Sequence, residues 1–516
     1  MNKLPVSIQT FSELIGEGYL YVDKTREIFN LIDGAGKNFF LSRPRRFGKS
    51  LLVSTLKEIF SGNRELFKGL WIYDKLDWTA YPVIHIDFSG LRYGSKEELE
   101  ETLDFLVESN AGKFGIQLRS NGYDKKCKEL ITRLSQKNKV VFLVDEYDKP
   151  IIDYVDRKTL AAVNQEILRS FYAILKGSDE HIKFAFFTGV SKFSRVSVFS
   201  GLNNLIDITM DPQFASLLGY TEGELRHYFS RRLADLSEAT EVDQDRLWDD
   251  IKRWYDGYSW DGKTFVYNPL SILNLFSRNA FGNYWFETAT PTFLMKLIKE
   301  YQSPLPVLED YQTDDSIFES FDIQRVNPVS LFFQAGYLTV KKVERASLTR
   351  SMYYLSYPNL EVKESFLKHI LAEYQNTYPD DAGRLVFRMG NLVRQGHIPA
   401  FLEEMKALFA SIPYNIFPGD RESYYHSLIY LALTLVGIEI SAEVQTNTGR
   451  IDAVVETDSQ IFIMEFKLGS SEEALEQIKT THYHQKYATS SKAVKLIGVG
   501  IDTTIRNISS YLIEDA

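Results

Sequence analysis

A chain of 516 residues is too long for one hydrophobic core, so two to four domains are expected. Its composition, with 44% hydrophobic and 25% charged residues, is that of an ordinary folded protein. The formal net charge of −10 weighs against a protein that coats DNA, and the single cysteine excludes an internal disulfide framework and a cysteine-rich metal site. Because no apolar run has the length of a membrane span or a signal peptide, we expect no membrane association and a cytoplasmic location.

Five short apolar runs, separated by helical stretches, mark the first 220 residues. Continuous apolar strands that alternate with helices are typical of a parallel sheet with helices on both faces. The fold class predicted for this part of the chain is therefore α/β. The five predicted strands are 38–42, 83–88, 140–145, 183–189 and 204–210.

The first run leads into a loop and then into a stretch with helical spacing that stops at Gly62. Strand, loop and helix in this order is the context that a phosphate-binding loop requires. The loop ends in Gly48-Lys49-Ser50, as in the pattern G-x-x-x-x-G-K-[ST]. In such a loop Lys49 reaches the β- and γ-phosphates of a nucleotide, and the hydroxyl group of Ser50 is a ligand of Mg²⁺.

The beginning of the loop departs from that pattern, because Arg43 stands where the pattern has its first glycine. An arginine fits there only if the backbone stays in an ordinary region of conformational space. Arg43, Arg45 and Arg46 are expected to bring extra positive charge near the phosphates. The loop residues predicted to contact the nucleotide are Arg45, Arg46, Phe47, Gly48, Lys49 and Ser50.

The stretch KVVFLVDEYDK supplies an acidic partner for this loop, since its apolar strand ends in Asp145-Glu146. Asp145 is predicted to hold Mg²⁺ through water, and Glu146 to polarise the water that attacks the γ-phosphate. The competing interpretation is a buried strand with a solvated acidic end. The occurrence of both motifs in order on suitable elements favours the nucleotide site.

The stretch FFTGVSKFSR follows the fourth predicted strand and carries further candidates. Thr188 or Ser191 lies where related ATPases place a polar sensor of the γ-phosphate. Arg195 is a candidate finger or sensor that approaches the same phosphate. For Arg195 the competing interpretation is an ordinary surface arginine.

These stretches resemble those of the bacterial AAA-like ATPase domain proteins, which are frequently fused to a C-terminal PD-(D/E)xK nuclease-like domain. The arginine-rich RPRRFGKS (43–50) is similar to that group's own variant of the phosphate loop. The resemblance covers nearly the whole chain and implies an AAA-like P-loop NTPase domain, placed at residues 1–220, that binds ATP. The other matching stretches are YVDKT (21–25), VVFLVDEYDKP (140–150), FTGVSKFSRVSVFSGLNNL (187–205), WYDGY (254–258) and LFFQAGYLT (331–339).

After the first domain the pattern turns helical. Residues 221–380 are predicted to form a helical lid, in which the order helix, hairpin, helix at 327–374 is similar to a winged helix. Residues 381–416 are predicted to be a helical connector. The stretch WYDGYSW (254–260) combines aromatic and turn residues, and we expect it to pack at a domain junction.

In the last hundred residues the helical pattern gives way to a mixture of predicted strands and helices. A helix, three strands, a helix and a further strand are predicted in residues 417–516, which makes a second α/β domain. The resemblance implies that this domain is of restriction-endonuclease-like type. The apolar run 427–440 is too short to span a bilayer and is interpreted as a helix that passes into the first of these strands. The predicted strands are 438–446, 450–457, 461–469 and 494–501.

Three residues on neighbouring strands of this domain form a candidate metal-dependent site. Glu465 and Lys467 are two apart on a strand and point to the same face, and Asp452 on the preceding strand can lie beside them. Asp452, Glu465 and the Phe466 carbonyl group are oxygen ligands suited to Mg²⁺ or Mn²⁺. Lys467 can orient or deprotonate water, as in metal-dependent phosphodiester cleavage. The competing interpretation is a pair of charges at a strand end.

The flanking helices carry further candidates. Glu422 on the preceding helix could complete the acidic set of metal ligands. Gln477 on the following helix resembles the accessory glutamine of some nucleases of this type, and Tyr483 is a weaker candidate because of its spacing from Gln477. His482 and His484 are placed two apart on the same helix, so they face different directions and are interpreted as surface or phosphate contacts and not as zinc ligands.

The sequence therefore predicts an ATP-binding, ATP-regulated, metal-dependent DNA nuclease with a role in defence or mobile-element biology. ATP and Mg²⁺ or Mn²⁺ are the expected cofactors, DNA is the expected partner, and a homo-oligomer is an open alternative to a monomer. The competing prediction is a signalling or assembly ATPase whose C-terminal domain binds nucleic acid or a protein without cleaving. Asp452, Glu465 and Lys467 favour the first prediction, and the acidic net charge favours the second.

Overall fold

A computed structural model of the protein describes residues 2–516 apart from 193–197, 200, 201, 203, 287–307, 319–326, 346, 348, 349, 413–421, 437, 438, 446–449 and 488. The chain forms two compact units, Met1–Phe293 with Gln312–Val362 and Leu294–Tyr311 with Lys363–Ala516. Within the described residues, no helix combines the length and the apolar character needed to cross a lipid bilayer.

The first unit is built on five parallel strands: β1 (Asn38–Ser42), β2 (Val83–Asp87), β3 (Val140–Asp145), β4 (Ile182–Gly189) and β5 (Ile206–Asp207). Their order across the sheet is β2-β3-β4-β1-β5, which confirms the predicted parallel sheet. β1 and β3 are buried along their whole length, because their sequences are apolar on both sides. The fifth strand was predicted over 204–210 but is shorter, since the amide of Thr209 turns back to the carboxylate of Asp207.

Parallel pairing brings the carboxyl ends of these strands to one edge of the sheet. Leu41 of β1 lies opposite Thr188 of β4, and Asp87 of β2 lies opposite Asp145 of β3. The residues that follow β1, β3 and β4 therefore meet at this edge, which is where ligands bind in open parallel sheets.

The helices of the first unit connect and extend this sheet. They are α1 (Phe11–Gly16), α2 (Thr25–Asp33), α3 (Lys49–Phe60), α4 (Lys96–Lys113), α5 (Tyr123–Leu134), α6 (Lys149–Ile152), α7 (Lys158–Lys176), α8 (Glu222–Thr240), α9 (Gln244–Tyr255) and α10 (Pro269–Arg278). Leu52 and Leu56 of α3 belong to the same buried core as the strands, and this packing fixes the loop before α3 to the sheet. The helical region predicted from residue 221 begins with a capping box, in which Thr221 and Glu224 exchange hydrogen bonds.

The predicted order helix, hairpin, helix at 327–374 is confirmed. A short strand, β6 (Tyr311–Thr313), comes first, and the module itself is α11 (Pro328–Ala335), β7 (Thr339–Arg345), β8 (Ser351–Ser356) and α12 (Leu360–Gln375). β7 and β8 are antiparallel, and β6 lies on the other side of β8. Asn327 caps α11 with its side chain, and Gly336, with a φ of 93°, ends this helix in the left-handed region that glycine favours.

The part of the second unit that the structure describes contains a mixed sheet and the helices that follow α12. The helices are α13 (Pro379–Arg394), α14 (Ile398–Ser411), α15 (Glu422–Leu435) and α16 (Ser471–Thr480). The strands are β9 (Glu439–Gln445), β10 (Arg450–Glu456), β11 (Gln460–Leu468), β12 (Ala493–Asp502) and β13 (Asn507–Asp515), and their order is β13-β12-β11-β10-β9. β11 and β12 pair in parallel, and the other pairs between the described strands of this sheet are antiparallel. The predicted α/β organisation of this region is confirmed.

Two features of this unit differ from the sequence-based expectation. The helix expected to run through His482 and His484 ends at Thr480, and His482 has a φ of 54°, which is incompatible with a continuing helix. The two histidines therefore do not share a helix. β13 was not predicted, because its short alternating pattern is that of a half-exposed edge strand and gives a weak signal.

Candidate functional site

A cavity of about 350 Å³ lies between the loop after β1 and the acidic end of β3, and we call it the loop cavity. One side is lined by Arg45, Arg46 and residues 48–50, and the facing side by Glu146 and Asp148. A third, mainly apolar wall comes from the N-terminal segment and from α10. This wall contains Pro5, Val6, Ile8, Tyr220, Pro269, Leu270 and Leu273. The cavity therefore joins a cationic loop, acidic residues that include Glu146 and Asp148, and an apolar surface.

Arg43 does not line this cavity. Its guanidinium group is buried, and Nη1 donates to the carbonyl oxygens of Ser42 and Thr209, both at 2.9 Å. Nη2 donates to the carbonyl oxygen of Phe214 at 3.3 Å, and the guanidinium carbon lies 3.7 Å from the ring centre of Trp260. Burial lowers the pKa of Arg43 to about 9. The expectation that Arg43 brings charge to the phosphates is corrected, because its charge is directed at backbone carbonyl groups.

The missing glycine of the loop pattern has a structural explanation. Arg43 does not have a positive φ, so it needs no glycine. The loop instead enters the left-handed region at Arg46, with a φ of 66°, and at Gly48, with a φ of 89°. Arg46 is an exposed side chain in a conformation that is costly for a residue other than glycine.

We expect the change Arg43→Gly, which restores the general loop pattern, to lower the free energy of unfolding by about 3 kcal/mol or more. Three carbonyl groups of buried residues would each lose one donor, and Trp260 would lose its stacked cation. Urea unfolding followed by tryptophan fluorescence measures the effect. Arg46→Gly is the matched control, and it should be neutral or stabilising because it relieves a positive φ. An unchanged unfolding midpoint for Arg43→Gly would contradict the structural role.

Aromatic residues from the lid region hold the outer side of the phosphate loop. Phe47 is buried, and its ring packs edge-on against Tyr258 and Trp260, at 4.8 and 5.7 Å between ring centres. The indole nitrogen of Trp285 donates to the carbonyl oxygen of Arg45 at 3.0 Å. The side chain of Phe47 therefore points into the protein and not into the cavity. The segment 254–260 packs on the phosphate loop inside one compact unit.

Lys49 lies inside the loop. Its Nζ donates to the carbonyl oxygens of Arg43 at 3.0 Å and Pro44 at 2.8 Å, and its side chain lines the loop cavity. Burial lowers the pKa of Lys49, and the nearby carboxylates of Asp145 and Glu146 act in the opposite direction. The ammonium group is thus placed between the loop and the acidic end of β3.

Ser50 and Asp145 form an oxygen-donor pair suited to a cation. Asp145 is buried, and the side chain of Ser50 lies close enough to act against the rise in its pKa. Burial raises the pKa of Asp145 to about 6, and the negative charges of Asp87 and Glu146 add to this. Among the described residues, no lysine or arginine forms an ion pair with Asp145. A hydroxyl group beside a buried carboxylate that lacks a paired cation fits a hard ion such as Mg²⁺.

Glu146 reaches the loop cavity through an unusual backbone conformation. It has a φ of 52°, and its amide donates to the Oδ1 of Asp145 at 3.0 Å. A left-handed conformation at a residue other than glycine is costly and is found mostly at functional sites. Burial raises the pKa of Glu146.

The residues predicted near the end of β4 to sense the γ-phosphate lie in different surroundings from one another. Thr188 is buried and donates its hydroxyl group to the carbonyl oxygen of Leu41 at 2.9 Å, so its side chain belongs to the sheet and not to the cavity lining. The predicted contact of Thr188 with the nucleotide stays a prediction. Ser191 donates its hydroxyl group to Asp148 at 2.6 Å. Arg195 lies outside the described residues.

Sequence reasoning missed three parts of this site. Asp87 had a usable signal, because it ends the strand beside β3 and the carboxyl ends of parallel strands meet at one edge. Asp148 lies two residues after Glu146, and no motif pattern used in the sequence analysis includes a carboxylate at this position. Residues 5–9 line the cavity without any sequence pattern that indicates it.

The C-terminal candidates come together on adjacent strands. The carboxylates of Asp452 on β10 and Glu465 on β11 each face a backbone amide of the neighbouring strand. The amide of Phe466 donates to the Oδ2 of Asp452 at 2.9 Å, and the amide of Asp452 points to the Oε2 of Glu465 at 3.4 Å. Glu465 is buried, with 3% of its surface exposed. Both carboxylates therefore lie at the same place on the sheet.

Gln477 joins the other two polar side chains of this cluster. Its Nε2 donates to the Oε1 of Glu465, and its Oε1 accepts a hydrogen bond of 2.9 Å from the Nζ of Lys467. Glu465 and Lys467 are thus on the same face of β11, as their spacing predicts. Tyr483 is buried in the hydrophobic core of this unit, beside residues such as Leu475, and packs there.

Asp452 and Glu465 supply two carboxylates, which fits Mg²⁺ or Mn²⁺ when further oxygen ligands complete the shell. Among the residues that the structure describes, no group of three or more His, Cys, Asp or Glu side chains is arranged to hold a metal ion. The side chain of Glu422, the third predicted carboxylate, lies outside the described part, although α15 begins at this residue.

Comparison with known proteins gives matches for both parts of the chain. Residues 5–199 match the family model of a predicted AAA-ATPase, and residues 420–511 match that of the PD-(D/E)XK nuclease superfamily. A protein of Azotobacter chroococcum mcd 1, named "Uncharacterized protein in vnfD 5'region", is 38% identical over 524 residues. The match covers 99% of this chain and 99% of that protein.

Proposed function

Because this chain belongs to the family of predicted AAA-ATPases that carry a C-terminal domain of the PD-(D/E)XK nuclease superfamily, we propose that it is an ATP-regulated, metal-dependent DNA nuclease. The observation that carries the ATPase part is the loop cavity, which residues 48–50 line together with Glu146, while Asp145 is buried next to Glu146 at the end of β3. A cationic loop at a helix N-terminus opposite two carboxylates is the arrangement that phosphoryl transfer uses.

In this proposal the phosphates of ATP bind to the backbone amides of residues 48–50 and to the ammonium group of Lys49. Arg45 and Arg46 add positive charge at the rim of the cavity. The apolar wall made by the N-terminal segment and α10 is suited to the face of a nucleobase. Ser50 and Asp145 would hold Mg²⁺, which would neutralise part of the phosphate charge when bound.

Glu146 is proposed to polarise the attacking water. Its position is supported by the strained φ of 52° and by the bond from its amide to Asp145, which together direct this residue to the cavity. Arg195 remains a proposed finger for the γ-phosphate. The ATPase domain is proposed to extend over residues 1–220.

The first test is the change Lys49→Ala, which we expect to remove ATP binding while the protein stays folded. The ammonium group is the main proposed phosphate cation, and a side chain truncated to a methyl group cannot replace it. Calorimetric titration with Mg²⁺-ATP measures the affinity, and thermal unfolding checks the fold. Lys57→Ala, in the last turn of the same helix, is the matched control. An affinity for ATP equal to that of wild type would rule out the phosphate-loop assignment.

The nuclease part of the proposal rests on the cluster of Asp452, Glu465, Lys467 and Gln477. Asp452 and Glu465, with the carbonyl group of Phe466, would hold Mg²⁺ or Mn²⁺, which supplies activation of water and neutralisation of phosphate charge when bound. Lys467 would orient or deprotonate the water. Gln477 supports this role, because it holds the side chains of Glu465 and Lys467 next to each other.

DNA cleavage by the purified protein tests this part directly. Plasmid, linear and single-stranded DNA would be incubated with Mg²⁺ or Mn²⁺, each with and without ATP. Cleavage that depends on the metal supports the nuclease, and a change in cleavage rate on adding ATP supports regulation. The acidic net charge favours a second candidate, a signalling or assembly ATPase whose C-terminal domain binds a partner without cleaving. ATP hydrolysis without any cleavage of the three DNA forms would support that candidate.

A further inference from the structure

Asp148 is a buried carboxylate whose partners lie on one short segment. Only 2% of its surface is exposed, and it accepts hydrogen bonds from the amide of Val190 at 3.1 Å and the amide of Ser191 at 2.7 Å. The hydroxyl group of Ser191 donates a third bond at 2.6 Å. Burial raises the pKa of Asp148, and the bonds from Ser191 act in the opposite direction. In the described part of the chain, Asp148 has no ion pair with lysine or arginine.

The segment that Asp148 holds, residues 189–191, also holds the entrance of the phosphate loop. We call this segment the β4 exit. The amide of Arg43 donates to the carbonyl oxygen of Gly189 at 3.2 Å, and the hydroxyl group of Ser42 donates to the carbonyl oxygen of Val190 at 2.5 Å. The β4 exit is therefore bonded on one side to the loop that would bind phosphate and on the other side to Asp148.

Close packing leaves little freedom in this connection. A Cβ atom at Gly189 would lie 2.2 Å from the Oδ1 of Asp148 and 2.7 Å from the ring of Tyr147, so only glycine allows this approach. The hydroxyl group of Tyr147 donates to the carbonyl oxygen of Ser191 at 3.0 Å, next to the bonds of Asp148. Two consecutive side chains after Glu146 thus hold the same segment.

We propose that Asp148 is a positioning residue for ATP hydrolysis, which keeps Glu146 at a fixed distance from the phosphate loop by way of the β4 exit. The inference rests on the proposed ATPase function. The segment from Asp145 to Asp148 is held at its start by the pairing of Asp145 with Asp87 in the sheet, and in its middle by the amide of Tyr147, which donates to the carbonyl oxygen of Thr188 at 3.0 Å. Its end is held by the three bonds of Asp148. Loss of the bonds of Asp148 would weaken this attachment and let Glu146 move relative to the phosphates without removing any group that binds them.

The test is the change Asp148→Asn, which keeps the size of the side chain and replaces an acceptor oxygen by a donor that faces backbone amides. We expect kcat for ATP hydrolysis to fall about tenfold to a hundredfold, because small misplacements of reacting groups have effects of that size. The Kd for ATP should stay within about threefold of wild type, since Lys49 and Ser50 are unchanged. A residue that only stabilises the fold would not produce this separation of kcat from Kd.

Two further variants complete the experiment. Ser191→Ala removes the hydroxyl donor and should lower kcat in the same direction by a smaller factor, so it also serves if Asp148→Asn does not fold. Asp156→Asn changes an exposed carboxylate on the following turn and should leave kcat unchanged.

The outcomes separate the inference from the function on which it rests. If the wild-type protein hydrolyses ATP and Asp148→Asn has the same kcat, the inference is overturned and the ATPase proposal stays intact. The same conclusion follows if Asp148→Asn is unfolded and Ser191→Ala has the wild-type kcat. A parallel loss of ATP affinity and kcat would make Asp148 a structural residue and also overturn it. Wild-type protein without any ATP turnover removes the proposed ATPase function, and the inference with it.

Discussion

Replacing Glu146 with glutamine is expected to leave ATP binding intact and to lower the rate of ATP hydrolysis by about a hundredfold or more. Glutamine keeps the size of the side chain and removes the carboxylate that is proposed to polarise water. The backbone should tolerate the change, because the φ of 52° and the bond from the amide to Asp145 do not involve the side chain. Burial raises the pKa of Glu146, so a neutral side chain at this place carries no penalty for folding.

Calorimetric titration measures the binding of ATP, and a phosphate-release assay measures the rate of its hydrolysis. Glu180→Gln, at an exposed position outside the loop cavity, is the matched control and should behave as wild type. Hydrolysis by Glu146→Gln at the wild-type rate would mean that another group polarises the water. Wild-type protein that binds ATP without hydrolysing it would be better described as a nucleotide-controlled switch.

The sheet and the position of the phosphate loop could be predicted because their signals are local. A continuous apolar run such as VVFLVD identifies a buried strand, and a parallel sheet brings the residues after each strand to one edge. Asp145, Glu146 and Lys49 could therefore be placed near each other before any contact was known. The roles of these residues in binding and hydrolysis stay predictions.

The role of Arg43 could not be predicted, because it depends on partners far away in the chain. Its guanidinium group binds the carbonyl groups of Thr209 and Phe214 and stacks on Trp260. From sequence alone, an arginine in a phosphate loop suggests a contact with phosphate, and burial is the fact that reverses this interpretation. Asp148 is a similar case, since its three bonds go to a segment more than forty residues away.

In the C-terminal unit, residue spacing correctly predicted which side chains share a face of a strand, but it did not predict where the helix α16 ends. The two-residue spacing of Glu465 and Lys467 correctly predicts one face of β11, because side chains on a regular strand alternate between its two faces. The end of α16 could not be located, since no glycine or proline follows Thr480. The positive φ of His482, which stops the helix, is adopted by a residue that rarely has this conformation.

The cluster of Asp452, Glu465 and Lys467 leads to the second prediction with a large effect. Glu465→Gln should abolish DNA cleavage and also remove the stabilisation that Mn²⁺ gives to thermal unfolding, because a carboxylate ligand is lost. Lys467→Met should lower cleavage by about a hundredfold or more and leave the Mn²⁺ effect largely intact, because the proposed role of the lysine is with water and phosphate.

Gln477→Ala tests the connection between these two side chains. Gln477 is proposed to orient Glu465 and Lys467 without touching substrate, so its removal should reduce cleavage about tenfold to a hundredfold, as is typical of residues that orient metal ligands. Lys495→Met on β12, where the lysine pairs with Asp515, is the matched control and should cleave as wild type.

The pattern across these variants separates catalysis from a structural ion pair. If Glu465 and Lys467 only stabilise the fold through Gln477, all three changes should lower the melting temperature slightly, and cleavage and the Mn²⁺ effect should not change. A catalytic cluster predicts the opposite, with large losses of cleavage at similar melting temperatures and a Mn²⁺ effect that only Glu465→Gln removes. Wild-type protein that shows neither cleavage nor stabilisation by Mn²⁺ would mean that this domain keeps the nuclease fold without its chemistry. In that case the second candidate function, an ATPase whose C-terminal domain binds a partner without cleaving, would be favoured.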